Sequence, residues 1–259
     1  MRSRKSDALT RPRFYAPDLD AAHTETTLPS DESHHLVKVM RLVPGDDVSV
    51  FDGRGHEFQA RVVRADKNGA VVAVGEALAT PAEPAVATVL VQAVLKGDKM
   101  DGVIRDATMA GVARVVPVVT ERTLIGLAAL NRAHAHERWQ RIAISSAKQC
   151  RRARLPEIGP PCAFQDWLDR PFDGRRVLLA EPSADRGRVR SLREALTAPA
   201  PPTAIACIVG PEGGWTTAEL DAALTAGCVL ASLGSTTLRA DAVGLVAVSI
   251  VNFACGSGP

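Results

Sequence analysis

Almost no net charge, no paired cysteines and no apolar run long enough for a bilayer: each absence narrows the reading of this chain. Thirty-one Lys and Arg stand against 29 Asp and Glu, a formal net charge of +2. Any nucleic-acid surface must therefore come from local clustering rather than bulk charge. The five cysteines (Cys150, Cys162, Cys207, Cys228, Cys255) are far apart and form no C-x-x-C. That excludes the usual zinc-site spacings and argues against a disulfide framework; three of the five lie in apolar runs and read as buried small residues. His34 and His35 have no third ligand nearby, so no metal is expected. The basic start, Met1 to Lys5, is not followed by an apolar h-region, and the apolar segment Ala242 to Ala254 is too short to span a bilayer. A soluble cytoplasmic protein is the expectation. There is no G-x-x-x-x-G-K-[ST] and no G-x-G-x-x-G opening a helix, so neither common nucleotide cradle is present.

What is there suffices for real cores: apolar residues make up 46% of 259, enough for one large or two medium domains. The most informative stretch is Ile208-Val209-Gly210-Pro211-Glu212-Gly213-Gly214-Trp215-Thr216-Thr217-Ala218-Glu219. It follows an apolar run, Ala204 to Val209, and precedes Thr216-x-x-Glu219, a capping-box signature. It reads as strand, glycine-rich loop, helix. In an open α/β sheet, ligands bind at the carboxyl ends of such strands. A tight turn before a capped helix is the competing reading. A second unit of the same kind follows: the run Cys228 to Leu233, the loop Gly234 to Ala242, and an apolar helix Val243 to Ala254.

Before Thr80 the chain alternates as strands do: Val48 and Val50; Phe58, Ala60 and Val62; Val72 and Val74. Gly53-Arg54-Gly55 and Lys67-Asn68-Gly69 supply turns, so a small β-barrel is predicted. Asp31 to Leu42 reads as a short helix with Leu36, Val39 and Met40 on one face and Lys38 and Arg41 on the polar side. Thr80 to Ala85 is a Pro/Ala linker and marks a boundary, giving domains 1–80 and 81–259. From Val86, strands alternate with helices, which argues a parallel sheet. A long helix, Arg138 to Arg152, carries an apolar stripe (Trp139, Ile142, Ala143, Ala147) and ends in Lys148, Arg151, Arg152 and Arg154 with no acid among them. Cations suit a helix C-terminus, but that accounts for one or two of the four. The cluster is a phosphate-binding candidate.

The pair Gly210-Pro211-Glu212-Gly213-Gly214 and Leu233-Gly234-x3-Leu238-Arg239-x-Asp241-Ala242 resembles the ribosomal RNA uridine-N3 methyltransferases, the RsmE family of the SPOUT class. Other segments extend the likeness over nearly the whole chain: Arg13-Phe14-Tyr15, His34-His35-Leu36-Val37-Lys38-Val39-Met40-Arg41-Leu42, Lys96-Gly97-Asp98-Lys99-Met100 and Glu121-Arg122-Thr123. The resemblance implies an α/β fold: a C-terminal trefoil-knotted parallel-sheet domain with a small N-terminal PUA-like β-barrel. It implies S-adenosylmethionine as cofactor, 16S rRNA in the small ribosomal subunit as substrate, and a homodimer. It places cofactor contacts on three loops: Leu179, Ala180, Glu181 and Pro182; Val209, Gly210, Pro211, Glu212 and Gly214; Leu233, Gly234, Ser235 and Leu238. RNA contacts fall on Arg13, Lys38, Arg41, Lys148, Arg151, Arg152 and Arg154, and the catalytic candidates are Arg239 and Asp241. Arg239 is suited to stabilise a uridine anion; an ion pair with Asp241 or Glu212 is the alternative. Glu212 either counters the sulfonium charge or fixes its loop.

The chain departs from the family pattern at several points. Asp241 stands where the family has Glu, one methylene longer; Met109-Ala110 replaces Glu-Leu; Cys150 replaces Ser; Arg151 replaces a small residue. A non-catalytic RNA-binding protein built on a decayed cofactor site, and a nucleotide-dependent oxidoreductase, are the rival classes. The intact glycines of both loops argue against the first and the missing dinucleotide fingerprint against the second.

Overall fold

The structure is a computed structural model that describes residues 11–20, 24–182, 187–197 and 202–256. The basic residues Arg2, Arg4 and Lys5 lie outside the described residues. The chain forms two compact units: one made by the residues up to Ala82 with Ala147–Leu155, the other by Glu83–Ser146 and the residues from Pro156 onward.

The first unit contains β1 (Arg13–Tyr15), β2 (Glu25–Thr27), α1 (Ser30–His34), β3 (Asp47–Phe51), β4 (Glu57–Asp66) and β5 (Gly69–Leu78). The strands form one sheet in the order β1-β3-β4-β5-β2. Lys67-Asn68 turns β4 into β5, with the Asn68 N–H bonded to Asp66 Oδ1 at 2.7 Å and the two strands pairing antiparallel from Asp66↔Gly69 outward. The apolar alternation is realised: Val48, Val50, Ala60, Val62, Ala70 and Val72 fill one core with Phe14, Leu28 and Leu36. The predicted helix 31–42 forms only in part. After α1 the backbone widens into a π-helical segment, His35–Val39. Leaving the 3.6-residue period rotates later side chains off the core face. Leu36 stays fully buried, but Val39 and Met40 are exposed, not packed beside it as the helical spacing implied.

The second unit contains β6 (Ala87–Ala93), α2 (Lys99–Met109), β7 (Arg114–Val119), α3 (Leu127–Arg132) and the body of α4 (Ala135–Cys150). It continues with β8 (Glu157–Ile158), β9 (Cys162–Ala163), α5 (Phe164–Leu168), β10 (Arg175–Leu179), β11 (Arg190–Ser191) and α6 (Leu192–Leu196). The last elements are β12 (Ala204–Val209), α7 (Thr217–Thr225), β13 (Val229–Ser232) and α8 (Ala240–Cys255). The sheet order is β11-β13-β10-β12-β6-β7-β8, with β9 also on β7, and its pairings are parallel. Parallel strands need both faces covered, which is why their sequences are continuous apolar runs. One face packs Leu90, Ile205, Cys207 and Val177 against α2, α4 and α8. The other packs Val91, Ile208, Leu178 and Leu230 against Phe164, Trp167 and α7.

Candidate active site

Sheet order decides which loops meet. β13, β10, β12, β6 and β7 are consecutive neighbours, and all are parallel, so their carboxyl ends lie side by side. The chain segments leaving those ends line one cleft of about 580 Å³. β10 contributes Leu179 to Pro182, β12 contributes Val209 to Trp215, and β13 contributes Leu233 and Thr236 to Asp241. Lys99, which opens α2 after β6, and Arg122, which follows β7, join it, with Thr217 and Leu220 of α7 and Val243 of α8. Eleven of the thirteen cofactor residues expected from sequence line this cleft; Gly234 and Ser235 do not.

The glycine-rich loop is held by side chains from its neighbours. Trp215 Nε1 donates to Leu179 O at 2.9 Å, tying the β12 loop to the β10 loop. A Cβ on Gly210 would stand 3.0 Å from the Trp215 ring, so any larger residue would push the indole back from the strand end. Arg122 Nη1 donates to Gly213 O at 2.9 Å and Trp215 O at 3.3 Å. Gly214 has φ +69, a conformation costly for other residues. Beyond the loop the capping box forms: Thr216 Oγ1 accepts from the Glu219 N–H and Glu219 from the Thr216 N–H. Glu219 also accepts the Glu121 N–H at 2.9 Å, anchoring the segment after β7.

Two ion pairs border the cleft. Arg239 forms a two-pronged contact with Asp241, Nε to Oδ1 at 3.1 Å and Nη2 to Oδ2 at 2.9 Å. That bond, with the Arg239 charge behind it, holds the Asp241 carboxyl below its ordinary range. Glu212 accepts from Lys99 Nζ at 2.8 Å and from the Lys96 N–H at 3.2 Å. Partial burial pushes the Glu212 carboxyl up, but these bonds outweigh it and its pKa is lowered. Of the alternatives left open by sequence, Arg239 pairs with Asp241, and Glu212 pairs with Lys99. Lys99, Arg122 and Trp215 were not singled out from sequence as site residues. Lys99 and Arg122 do sit in the family-like segments Lys96 to Met100 and Glu121 to Thr123, the signal that pointed to them.

The seven residues expected to contact RNA divide by environment. Arg13 is buried: Nε bonds Glu57 Oε2 at 3.0 Å, Nη1 bonds Ala147 O at 2.8 Å and Nη2 bonds Arg152 O at 3.0 Å. Burial, the largest influence, lowers its pKa despite the Glu57 charge. Lys148 Nζ bonds both Glu32 oxygens at 2.9 and 2.7 Å and stands over the Phe14 ring. Arg152 is buried as well. Arg13 and Lys148 direct their charges onto partners within the first unit, and Arg152 is buried, which differs from the open basic surface read from sequence. Buried cations require such partners. Arg154, Lys38 and Arg41 are exposed, and Arg151 is half-buried with φ +62. His34 and His35 belong to no group of three metal-ligating side chains among the described residues.

Comparison with known proteins agrees with this geometry. The sequence model of the RNA methyltransferase domain matches residues 82–252, and that of the RNA methyltransferase PUA domain matches residues 28–74. The chain is 31% identical to ribosomal RNA small subunit methyltransferase E of Synechocystis sp. over 87% of its length and 72% of that protein's. It is 30% identical to the protein of the same name from Rickettsia conorii, covering 92% and 94%. Among solved structures, ribosomal RNA small subunit methyltransferase E of Neisseria gonorrhoeae bound to S-adenosyl methionine superposes with a TM-score of 0.84 at 28% identity, covering 95% of this chain and 98% of that one. Matches of this breadth, on a parallel sheet whose carboxyl ends form one cleft, assign the chain to the RNA methyltransferase family represented by the ribosomal RNA small subunit methyltransferase E proteins.

Proposed function

We propose that this chain transfers a methyl group from S-adenosylmethionine to N3 of a uridine in 16S rRNA, acting on the assembled small ribosomal subunit. The observation that carries the reading is the cleft at the ends of five neighbouring strands, which brings together the glycine-rich loop with its Glu212–Lys99 pair and the Arg239–Asp241 pair. The relative from Neisseria gonorrhoeae, described as bound to S-adenosyl methionine, supports the cofactor.

The cleft suits that ligand. Its volume, about 580 Å³, falls within the range of small-molecule sites. Backbone groups of Leu179 to Pro182, Val209 to Gly214, Leu233 and Leu238 would hold the nucleoside and amino-acid portions. When bound, the cofactor supplies an electrophilic methyl group on a positively charged sulfur. The protein's part is alignment and charge. Glu212, kept ionised by Lys99, places a carboxylate on the cofactor loop. Arg239 stabilises the uridine ring as N3 gives up its proton to solvent. Asp241, whose pKa is lowered, is a poor proton acceptor and serves to orient Arg239. In-line transfer needs a close, fixed approach, which Trp215 and Arg122 secure by locking the loops. N3 lies on the pairing edge of uridine, so the target must be unpaired or flipped.

The wider reading has several parts: a SPOUT-type trefoil knot in residues 81–259, a PUA-like barrel for RNA binding in residues 1–80, a cytoplasmic location, and a homodimer. The apolar helix α8 supports the last. Its exposed stripe Ala242, Leu245, Ser249 and Phe253 includes a phenylalanine 91% exposed, as expected of a contact surface. Exposed Lys38, Arg41 and Arg154, with Arg151, are the remaining RNA phosphate contacts.

The test is methyl transfer from labelled S-adenosylmethionine into small subunits lacking the modification, with the product nucleoside identified by mass spectrometry. N3-methyluridine in 16S rRNA is the expected product. Label at another base position, or no label despite a cofactor-dependent rise in melting temperature, would overturn the assignment of the target.

A further inference from the structure

The run from Lys38 to Val43 is unusual for a soluble protein surface. Val39 is 59% exposed, Met40 42% and Val43 58%, with the exposed cations Lys38 and Arg41 interleaved among them. These side chains are displayed by a fixed backbone rather than a loose loop. The π-helical segment His35–Val39 ends with the Met40 N–H on His35 O at 2.9 Å. The Leu42 N–H then reaches back to Leu36 O at 3.1 Å, and the Val43 N–H is capped by Asp46 Oδ2 at 2.8 Å. Leu36 is buried beneath the run and Leu42 packs against the same core. Between them Arg41 holds φ +54, a left-handed position where glycine is the ordinary occupant. Strained non-glycine residues persist where the surrounding structure over-determines them, and they cluster at binding sites. Segments of π-helix do so too.

We propose that Lys38 to Val43 is a wedge that docks unpaired RNA, with Val39, Met40 and Val43 packing on exposed base faces while Lys38 and Arg41 meet the flanking phosphates. The inference rests on the rRNA-methylation reading above and names which surface of the first unit engages the substrate, and by what chemistry. Charge decides the occupant. Cations alternating with apolar side chains suit a polyanion whose bases are splayed out, the form in which single-stranded RNA is recognised. Paired RNA hides its base faces and would use only the two cations.

The experiment measures binding of the full chain to two fluorescent probes, a short single-stranded oligouridine and an RNA duplex, across a salt series. The variant Val39→Ser/Met40→Ser/Val43→Ser weakens oligouridine binding by about tenfold, the equivalent of one lost base contact, and leaves duplex binding and salt slope unchanged. The variant Lys38→Ser/Arg41→Ser weakens both probes and lowers the single-strand salt slope by about 1.4, two phosphate contacts. Arg41→Gly relieves the left-handed backbone, so its melting temperature holds or rises while affinity falls. Thermal stabilisation by S-adenosylmethionine stays at the wild-type level throughout, and Val39→Ser alone repeats the effect in part. Wild-type affinity for oligouridine in the triple variant overturns the proposal, as does failure of the wild-type chain to bind oligouridine. If the triple variant instead turns a dimer into a monomer with RNA binding intact, the run is a subunit contact and the wedge is wrong. Failure of methyl transfer in the wild-type chain would strike the underlying reading, a result separable from all of these.

Discussion

Two of the carboxylates that line the cleft, Glu212 and Asp241, have lowered pKa values. A carboxylate whose folded pKa is depressed contributes stability above its unfolded pKa, and that contribution is lost as pH falls through the folded value. The contribution of these two ion pairs to folding stability should therefore be flat from neutral pH down to about pH 5 and decline below about pH 4, the ordinary carboxylate range. Differential scanning fluorimetry across pH checks this; a decline centred near pH 6 would contradict the two ion pairs. Asp241→Asn keeps the side chain's size but frees Arg239 from its two-pronged partner. The turnover rate should fall by about 10- to 100-fold with cofactor affinity unchanged, because the loss lies in positioning. Single-turnover kinetics beside calorimetric titration separates the two quantities. Elsewhere, Arg13 and Glu57 form a buried pair at 3.0 Å. Glu57→Ala leaves the guanidinium charge unmatched inside the protein and should cost about 3–5 kcal/mol in urea unfolding, since breaking one side of a buried pair is far costlier than losing a surface one.

Elements join the cleft to the rest of the fold through a few fixed contacts. Glu219 closes the α7 capping box and also receives the Glu121 N–H from the segment after β7. Glu219→Ala removes a cap and an anchor together and should destabilise by about 1–2 kcal/mol, with a matching loss of cofactor-induced stabilisation. Helix α8 lies against β6 at Gly244, where an added Cβ would sit 3.1 Å from a Leu90 methyl and 3.2 Å from Gln92 Oε1. Gly244→Ala sets this crowding against the roughly 1 kcal/mol that alanine gains over glycine in a helix, so a net loss of about 1 kcal/mol, read as a lower melting temperature with unchanged secondary-structure content, is expected if Leu90 and Gln92 cannot yield. Elements were also the most legible level of the sequence. Ala204–Val209 is a strand as its apolar run implied, and Thr216-x-x-Glu219 starts a helix as its capping box implied. Residues 35–42 were not legible, because a π-helical segment and a left-handed Arg41 follow from local hydrogen bonding that 3.6-residue periodicity does not encode.

The whole molecule is expected to work as a dimer on a large RNA. Sedimentation should give twice the 27.4 kDa chain mass, and Phe253→Asp, which places a charge on the exposed stripe of α8, should shift it toward monomer. An unchanged sedimentation coefficient in that variant would remove α8 from the interface. The sequence by itself determined the alternation of strands and helices, the glycine-rich loop and its partner loop, the family and most of the cleft lining, because these depend on local pattern and motif. Only the tertiary structure decided which charges are available. Arg13, Lys148 and Arg152 look in sequence like part of a basic surface, yet Arg152 is buried, and Arg13 and Lys148 are turned onto Glu57 and Glu32, 44 and 116 residues away in the chain. Lys99, Arg122 and Trp215 reach the cleft because β6, β7 and β12 share a sheet in an order that differs from the chain order. Strand order and burial are set by long-range packing, and a sequence pattern carries the propensity of each segment without the identity of its neighbours.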